Sequence, residues 1–317
     1  MFRLILELSV KLIPIYLYAV LGFIIGKIIR FPKDKVADLL VYFIVPVVVF
    51  HGAYTIELSA RVLLLPLIML VLCTLIAFIF LITGRKIYKD NTPNLLGFCS
   101  AYGNFGYFAV PASIILFGPE AESLAIVAGL GFNIFLSTIG YYMTALGNFS
   151  IKESLIKTLK LPILYAILLG FALNYFNCRL TVFNGVDTNA VYLGAIRDIR
   201  GIFTVFGMML LGLAIAELKE LQIDWKFVLL SMVSHFVLWP LLVSGLIIAD
   251  RQIFHLFPVI VHRIMFLMSV VPLGVNGIAV ATQLDVQPQK AAVAILISTI
   301  FGMIYIPVIL TIFASYI

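Results

Sequence analysis

The stretch GNFGYFAVP, from Gly103 to Pro111, lies inside an apolar segment that runs from about residue 94 to residue 117. Two glycines, an asparagine and a proline weaken a helix interior, because glycine loses conformational entropy on folding and proline lacks an N–H. A similar stretch, SVVPLGVNG, occupies residues 269–277 in the second half of the chain. The sequence therefore predicts two apolar helices that are interrupted near their middle.

The composition indicates a chain that lies mostly in a lipid bilayer. Of its 317 residues 63% are hydrophobic and 11% are charged, and the mean hydropathy is +1.16. A soluble domain carries about 25% charged residues, so this chain has too few polar groups to cover a surface in water. The net charge of +6 comes from basic residues between apolar runs, which is typical of membrane-flanking loops and argues against a nucleic-acid partner. The three cysteines, Cys73, Cys99 and Cys178, lack the spacing of a metal site.

Ten segments are long enough to cross a bilayer as α-helices, which requires about 20 apolar residues each. Strands are not expected, because the runs are long and do not alternate between apolar and polar residues. We therefore predict an all-α integral membrane protein with ten spans, numbered in chain order. The spans are residues 11–29, 36–54, 60–83, 94–117, 121–146, 161–177, 196–217, 226–249, 262–284 and 288–316.

Lysine and arginine are unevenly divided between the two sides of this arrangement. The loops after the odd-numbered spans hold 13 of the 21 basic residues, and the opposite side holds 8. Basic loops face the cytoplasm in most membrane proteins, so the loops after odd-numbered spans are predicted to be cytoplasmic. We expect a multi-pass protein of the cell membrane with both termini outside the cytoplasm.

The sequence repeats itself weakly at an interval of five spans. Span 1 contains PIYLYAVLGFIIG from Pro14 and span 6 contains PILYAILLGFALN from Pro162, and Gly22 and Gly170 each follow the proline by eight residues. The interrupted spans 4 and 9 both hold an asparagine and a proline. Because five is odd, the second copy must be inverted relative to the first. Two inverted repeats, residues 1–149 and 150–317, are therefore predicted, and chance similarity between apolar sequences is the alternative.

Inverted repeats with interrupted helices at corresponding positions are typical of secondary transporters, whose substrate site lies at the interruptions. Interrupted helices leave peptide groups unpaired, which must face protein or water rather than lipid, and the N-terminal ends of half-helices favour an anion. Asn104 and Asn276 are candidate substrate contacts, with capping of the broken helices as the alternative. Close backbone approach is expected at four glycines: Gly103, Gly106, Gly274 and Gly277. Gly103 and Gly274 are also candidate substrate contacts.

Several stretches resemble the auxin efflux carrier family, which includes the PIN auxin exporters of plants and many microbial relatives. They are YAVLGFIIGK (18–27), LLVYFIVPVVVF (39–50), GNFGYFAVPASIILFGPEA (103–121), VVPLGVNGIAVATQLDV (270–286) and AAVAILIST (291–299), and the resemblance covers nearly the whole chain. That family has ten helices in two inverted five-helix repeats, a fold distantly similar to bile acid–sodium symporters. Its broken helices 4 and 9 cross at the substrate site.

The resemblance implies that Pro111 and Pro272 are crossover prolines and that Asn104 and Asn276 are crossover asparagines. It implies an elevator mechanism, in which spans 1, 2, 6 and 7 form a scaffold and spans 3–5 and 8–10 form a moving transport unit. It also implies dimerisation through the scaffold. One departure is that many relatives carry a proline in helix 7, where this chain reads FTVFGMMLLG, with Gly207 near its centre.

Other polar residues in the spans have a structural and a functional interpretation. Tyr107, beside the interruption, is a candidate for lining the substrate cavity, with packing as the alternative. Asn133 and Ser137 lie one turn apart on span 5 and either support the site or form an interhelical hydrogen bond, which is favoured. His51 and His235 are interpreted as neutral histidines that hydrogen-bond to a neighbouring helix.

The leading hypothesis is a secondary transporter for a small organic anion, expected to be a carboxylate, although no lysine or arginine is expected inside a span near the interruptions. A sodium-coupled symporter of the bile acid type is the alternative, because unwound carbonyls and asparagine oxygens bind Na⁺. A channel or a receptor is a third possibility. An enzyme is not expected, because neither a serine-protease nor a metalloprotease motif is found. No catalytic residue, metal site or organic cofactor is predicted.

Overall fold

The computed structural model describes residues 2–29, 31–56, 60–178, 182–183, 186–217 and 222–314. Nearly all of these residues are helical, and the strands among them form a two-residue antiparallel pair, Val182–Phe183 with Val186–Asp187. Three basic residues that contribute to the predicted orientation, Arg30, Arg179 and Lys219, lie outside the described residues. The same holds for the end of the predicted span 288–316.

The helices follow one another with short connections, and π-helical turns join or extend several of them. The α-helices, in chain order, are α1 (Phe2–Ile29), α2 (Lys33–Leu39), α3 (Val45–Thr55), α4 (Ala60–Ile87), α5 (Thr92–Ala101), α6 (Val110–Phe117), α7 (Pro119–Phe135), α8 (Tyr141–Ala145), α9 (Ile151–Leu159), α10 (Pro162–Tyr175), α11 (Thr188–Glu217), α12 (Trp225–Val233), α13 (Trp239–Ala249), α14 (Val259–Val270), α15 (Asn276–Gln283) and α16 (Pro288–Ala314). The π-helical turns are Leu40–Ile44, Phe105–Ala109, Leu136–Gly140, Ser234–Leu238 and Asp250–Phe254.

Seven helical segments of the described chain are long and apolar enough to cross a membrane, and the bent pair α9 and α10, which meet at 50°, supplies an eighth. This confirms the prediction of an all-helical, multi-pass membrane protein. Helix length alone does not yield ten spans, because residues 92–117 and 259–283 are divided into helices too short to cross by themselves. The seven segments are Ile5–Ile29, Lys33–Thr55, Arg61–Ile87, Glu120–Ala145, Thr188–Glu217, Trp225–Phe254 and Pro288–Phe313.

Three prolines are accommodated by π-helical turns rather than by helix ends. Pro46, Pro111 and Pro240 each occupy the second position of an α-helix that follows such a turn, and the residue before each proline donates its N–H to the carbonyl five residues back. In a regular α-helix the proline ring would clash with the carbonyl four residues back, and the wider turn gives the ring room. At Pro240 that freed carbonyl, of Phe236, accepts a hydrogen bond from Tyr305 Oη at 2.7 Å.

Two helix pairs from opposite halves of the chain pack at close range, α1 along α11 and α3 along α10. A Cβ atom at Gly22 would lie 2.2 Å from the carbonyl oxygen of Met209, and one at Gly170 would lie 2.7 Å from that of Phe50. Glycine permits this approach because it has no side chain, as at many interfaces between membrane helices. The two glycines that mark the sequence repeat therefore have comparable roles in the two pairs.

A polar cluster at one end of the bundle ties together α5, α12 and α16. Lys290 Nζ lies 3.1 Å from Asp224 Oδ2 and donates to Thr92 Oγ1 at 2.8 Å, and Tyr88 Oη donates to Asp224 Oδ1 at 2.9 Å. Burial acts to raise the pKa of the Asp224 carboxyl. The Phe227 N–H, the Lys290 ammonium and the Tyr88 hydroxyl outweigh burial and hold this pKa below its usual value. The cluster joins elements of both halves of the chain.

Candidate functional site

The two interrupted segments meet at their interruptions. The first helix ends at Ala101 and the next helical turn begins at Phe105, whereas the second segment is non-helical at 271–275. The Asn104 N–H donates to the Pro272 carbonyl at 2.8 Å, and the Gly274 N–H donates to the Tyr102 carbonyl at 2.8 Å. Segments about 170 residues apart in the sequence are thus joined by main-chain hydrogen bonds, as in a short antiparallel bridge.

The first interruption is a tight turn centred on Asn104. This residue has φ −77° and ψ 57°, and the Phe105 N–H donates to the Gly103 carbonyl at 2.8 Å, which defines an inverse γ-turn. The Asn104 carbonyl then accepts the N–H groups of Phe108 and Ala109, both at 3.2 Å. The turn therefore ends one helix and begins the next within three residues.

Side chains of neighbouring helices satisfy the carbonyls at the end of α5. Ser234 Oγ donates to the Ser100 carbonyl at 2.7 Å, and His235 Nε2 lies 2.9 Å from the Cys99 carbonyl oxygen. On the second segment, the Leu273 N–H donates to Ser298 Oγ at 3.1 Å. Peptide groups exposed by the interruptions are thus paired inside the protein, as the lipid environment requires. His235 has the contact with a neighbouring helix that its sequence context indicates.

Asn276 is held between two tyrosines at the crossing. Asn276 Nδ2 donates to Tyr102 Oη at 2.9 Å, and Tyr107 Oη donates to Asn276 Oδ1 at 2.6 Å, with all three side chains buried. A Cβ atom at Gly207 would lie 2.1 Å from the Tyr107 ring, so this glycine makes room for the ring. The space around these residues admits no water molecule. Asn276 and Tyr107 therefore have structural partners at the crossing. The glycine at position 207 has a steric reason, because a side chain there would collide with the Tyr107 ring.

Asn104 has a different environment from Asn276. Its side chain is buried, its Nδ2 makes one long contact of 3.5 Å with Met208 Sδ, and its Oδ1 has no hydrogen-bond partner among the described residues. A buried amide oxygen without a partner is unfavourable and is rare in folded proteins. Asn104 and Asn276 line the same closed space at the crossing, and of the two only Asn104 has an amide oxygen without a partner among the described residues.

The candidate glycines and prolines divide into those at the contact and those beside it. A Cβ atom at Gly103 or Gly274 would lie 2.9 or 2.3 Å from a side-chain atom of the other interrupted segment, so the two segments approach closely there. A Cβ atom at Gly106 would lie 2.8 Å from the Phe203 ring, so the close neighbour of this glycine is α11. At Gly277 the nearest atom would be 3.4 Å away, which is ordinary contact, so close approach does not extend to it. Pro272 takes part in the main-chain contact, whereas Pro111 lies outside it.

A cavity of about 490 Å³, here called the main cavity, adjoins the first interruption. Pro111 lies on its wall rather than at the contact between the segments. The wall is mostly apolar and comes from α3, the turn before α6, α6, α7 and α11. The lining residues are Val48, Val49, Phe105, Gly106, Val110, Pro111, Ile114, Glu122, Ile126, Leu130, Asn133, Arg197, Arg200, Gly201, Phe203 and Thr204.

Asn133 and Ser137 do not form the interhelical hydrogen bond that is favoured from the sequence. Asn133 Nδ2 donates to the Gly129 carbonyl at 3.1 Å, and Ser137 Oγ donates to the Asn133 carbonyl at 2.8 Å, both within the same helical segment. Hydrogen bonds to the carbonyl one turn back are common for such side chains in helices. Asn133 lines the main cavity, whereas Ser137 is buried and is not part of its wall.

Arg200 is a charged residue of this site that was not among the residues expected from the sequence. Because α11 begins at Thr188 rather than near residue 196, Arg200 lies well inside the helix and faces the main cavity. Its Nη1 donates to Glu122 Oε1 at 2.8 Å, and its Nε–H is buried without a partner among the described residues. Arg197, one turn before Arg200, lines the same cavity with a side chain that is 83% exposed. The feature of the sequence that could have indicated this site is the pair of arginines, three residues apart, before an apolar run.

A second cavity of about 440 Å³, the side cavity, shares Arg200 and Ile126 with the main cavity. Its wall also includes His51, whose Nδ1 lies 2.9 Å from Tyr192 Oη on α11. This is the contact with a neighbouring helix indicated for His51 by the sequence. Arg200 therefore stands between two cavities.

Comparison with known proteins does not identify the chain, because no protein-family model and no curated protein matches it. Among the described residues, no group of three or more His, Cys, Asp or Glu side chains is placed to hold a metal ion.

Proposed function

We propose that this protein is a secondary transporter for a small organic anion, built like the auxin efflux carriers that its sequence resembles. The observation that carries the proposal is the main-chain contact between two interrupted helices from opposite halves, beside a cavity of about 490 Å³. Interrupted helices that meet in this way are a recurring feature of transporter substrate sites. The cavity volume lies within the range of about 300–1,000 Å³ that is usual for small-molecule sites.

Reciprocal packing supports ten spans in two inverted repeats. Residues 92–117 and 259–283 supply the two interrupted spans, in addition to the seven long helices and the bent pair. Span 1 (α1) packs on span 7 (α11), and span 6 (α10) packs on span 2 (α3), as expected if span 1 corresponds to span 6 and span 2 to span 7. Gly22 and Gly170 lie at the close points of the two contacts.

The distribution of polar contacts supports a scaffold and a transport unit that move relative to each other. Within the proposed scaffold, Lys33 pairs with Glu217 and Asn174 Nδ2 donates to the Ile56 carbonyl at 2.6 Å. Within the proposed transport unit, the cluster around Lys290 joins α5, α12 and α16.

Few polar contacts cross between these two groups of helices. Among the described residues, side-chain hydrogen bonds between them are limited to Arg200 with Glu122, Asn104 with Met208, and Ser154 Oγ with the Phe149 carbonyl at the loop that links the halves. An interface with few directional contacts favours sliding of one body along the other, as in shear motions of packed helices.

The charges of the main cavity support an anion. Its charged lining residues are Arg197, Arg200 and Glu122, with a net charge of +1. Gly106, at the start of the helical turn after the interruption, also lines the cavity, and the first N–H groups of a helix have no partner within it.

A sodium-coupled symporter of the bile acid type is the second candidate, and the unpartnered Asn104 Oδ1 favours it. An amide oxygen beside an unwound turn is a suitable Na⁺ ligand. Replacement of external Na⁺ by K⁺ in a transport assay separates the candidates. A sodium-coupled carrier loses accumulation of the anion, whereas a uniporter or exchanger retains it.

The proposal is tested with purified protein in proteoliposomes that are loaded with unlabelled organic acids. Internal substrate is expected to accelerate the uptake of the labelled acid, which a carrier does and a channel does not. Asn104→Ala should reduce this uptake, because it removes the unpaired amide oxygen at the crossing, whereas Ser137→Ala, which changes a buried side chain that lines neither the crossing nor the main cavity, should retain it. If no carboxylate shows accelerated exchange, or if both variants behave alike, the proposed function is wrong.

A further inference from the structure

We infer that Arg200 binds the anionic group of the transported molecule and that Glu122 occupies Arg200 when no anion is bound. The inference rests on the proposed function, because it assigns the recognition residue of the same site. Arg200 faces both the main cavity and the side cavity, and Glu122 is on the wall of the main cavity. The two residues belong to the proposed scaffold and transport unit respectively, on α11 and α7.

The guanidinium of Arg200 has hydrogen-bonding capacity beyond its contact with Glu122. Arginine carries five N–H donors in a planar fork that suits both oxygens of a carboxylate. Here Nη1 donates to Glu122 Oε1 at 2.8 Å, whereas the Nε–H is buried without a partner among the described residues. A carboxylate that takes the place of Glu122 can bind the guanidinium with both of its oxygens, through Nη1 and Nη2.

Glu122 is placed so that an incoming anion can displace it. The side chains of Arg200 and Glu122 are 24% and 28% exposed and both line the main cavity, so a molecule in the cavity can reach the pair. Glu122 lies in the first turn of α7, where the N-terminal end of the helix stabilises a carboxylate that has left Arg200. Exchange of one carboxylate for another keeps Arg200 paired throughout.

The rest of the cavity wall defines the chemistry of the molecule that fits. Beyond Arg197, Arg200 and Glu122, the polar side chains on the wall are Asn133 and Thr204. A net charge of +1 beside a mostly apolar wall fits a molecule with one carboxylate and an apolar body. Benzoate and hexanoate are suitable probes, and benzamide and hexanamide are their neutral counterparts.

Different results are expected if the Arg200–Glu122 pair has a purely structural role and if Arg200 recognises the anion. If the pair only holds α7 against α11, Arg200→Gln and Glu122→Gln lower stability to a similar extent and leave the affinity for anions unchanged. If Arg200 recognises the anion and Glu122 competes with it, the two substitutions change the affinity in opposite directions. Affinity and stability are therefore measured together on each variant.

The experiment measures binding of benzoate and hexanoate to the purified protein by calorimetry, alongside thermal unfolding. Arg200→Gln should weaken binding by about tenfold or more, as for the loss of a hydrogen bond to a charged group, and Arg200→Lys should restore part of it. Glu122→Gln should strengthen binding severalfold. Arg197→Gln, one turn away and mostly exposed, is the matched control and should change affinity less than Arg200→Gln does.

The outcomes separate this inference from the proposed function. If the wild-type protein exchanges carboxylates and Arg200→Gln binds them equally well, the inference is wrong and the transporter proposal stands. Failure of Glu122→Gln to strengthen binding would refute the role of Glu122. If the wild-type protein binds neither the carboxylates nor the amides and exchanges no organic acid, the proposed function itself fails.

Discussion

Replacement of Asn276 by alanine should destabilise the protein far more than replacement of Asn104, although the sequence predicts the same role for the two asparagines. Asn276→Ala leaves the buried hydroxyls of Tyr102 and Tyr107 without their partner. Each buried polar group that loses its partner costs about 1–3 kcal/mol, so the expected loss is about 2–6 kcal/mol. Asn104→Ala removes a 3.5 Å contact with Met208 Sδ and an oxygen that has no partner, so its expected effect is small or stabilising.

The assay is reversible unfolding in mixed micelles, with Tyr107→Phe used to build a double-mutant cycle. Because Tyr107→Phe already removes one of the two hydrogen bonds, the combined variant should be less destabilised than the sum of the single changes. Equal destabilisation by Asn104→Ala and Asn276→Ala, or strict additivity with Tyr107→Phe, would refute the conclusion that Asn276 bonds the two tyrosines while the Asn104 oxygen is unpaired.

Three further predictions concern packing, charge and transport. Gly207→Val should abolish stable folded protein in a thermal-unfolding assay, because its Cβ would lie 2.1 Å from the Tyr107 ring, whereas Gly245→Ala, with no atom within 4 Å of the added Cβ, should be tolerated. The lowered pKa of Asp224 contributes stability that is complete above its ordinary value of 3.8 and is lost as the pH falls through the lower folded-state value. Asp224→Asn should therefore flatten the acid side of the stability curve, and an unchanged curve would contradict the assignment. Glu122→Gln should permit anion uptake into vesicles that contain no internal substrate more readily than the wild type does, since it removes the ionic contact between the two proposed bodies.

The helical class and the two interruptions were predictable because they depend on local composition. Long apolar runs exclude a soluble fold, and glycine and proline weaken a helix wherever they occur. The exact break was less predictable, since it falls at 102–104 and Pro111 is accommodated by a π-helical turn. The hydrogen bonds of Asn276 were not predictable, because its partners come from a segment about 170 residues away.

Arg200 was missed for a physical reason that applies to many membrane helices. Three charged side chains, Arg197, Asp198 and Arg200, stand at the start of the predicted span 196–217, so the arginines were interpreted as charges flanking the membrane. The helix nevertheless extends to Thr188, because helix formation depends on backbone hydrogen bonds and neighbouring packing rather than on hydropathy. A charged residue that the sequence indicates to be next to the membrane thus lies beside a cavity between the helices.

The different surroundings of the two asparagines decide which one is expected to act in transport. The partners of Asn276, Tyr102 and Tyr107, belong to the same proposed transport unit, so these hydrogen bonds persist when that unit moves. Asn104 contacts Met208 on α11, which belongs to the proposed scaffold, so movement of the transport unit must break this contact. When this contact breaks, the Nδ2 donor of Asn104 joins its Oδ1 acceptor in having no partner among the described residues, so both groups can bind a transported molecule. For that reason a polar substitution at Asn104 should alter transport while the fold, which depends on Asn276, stays intact.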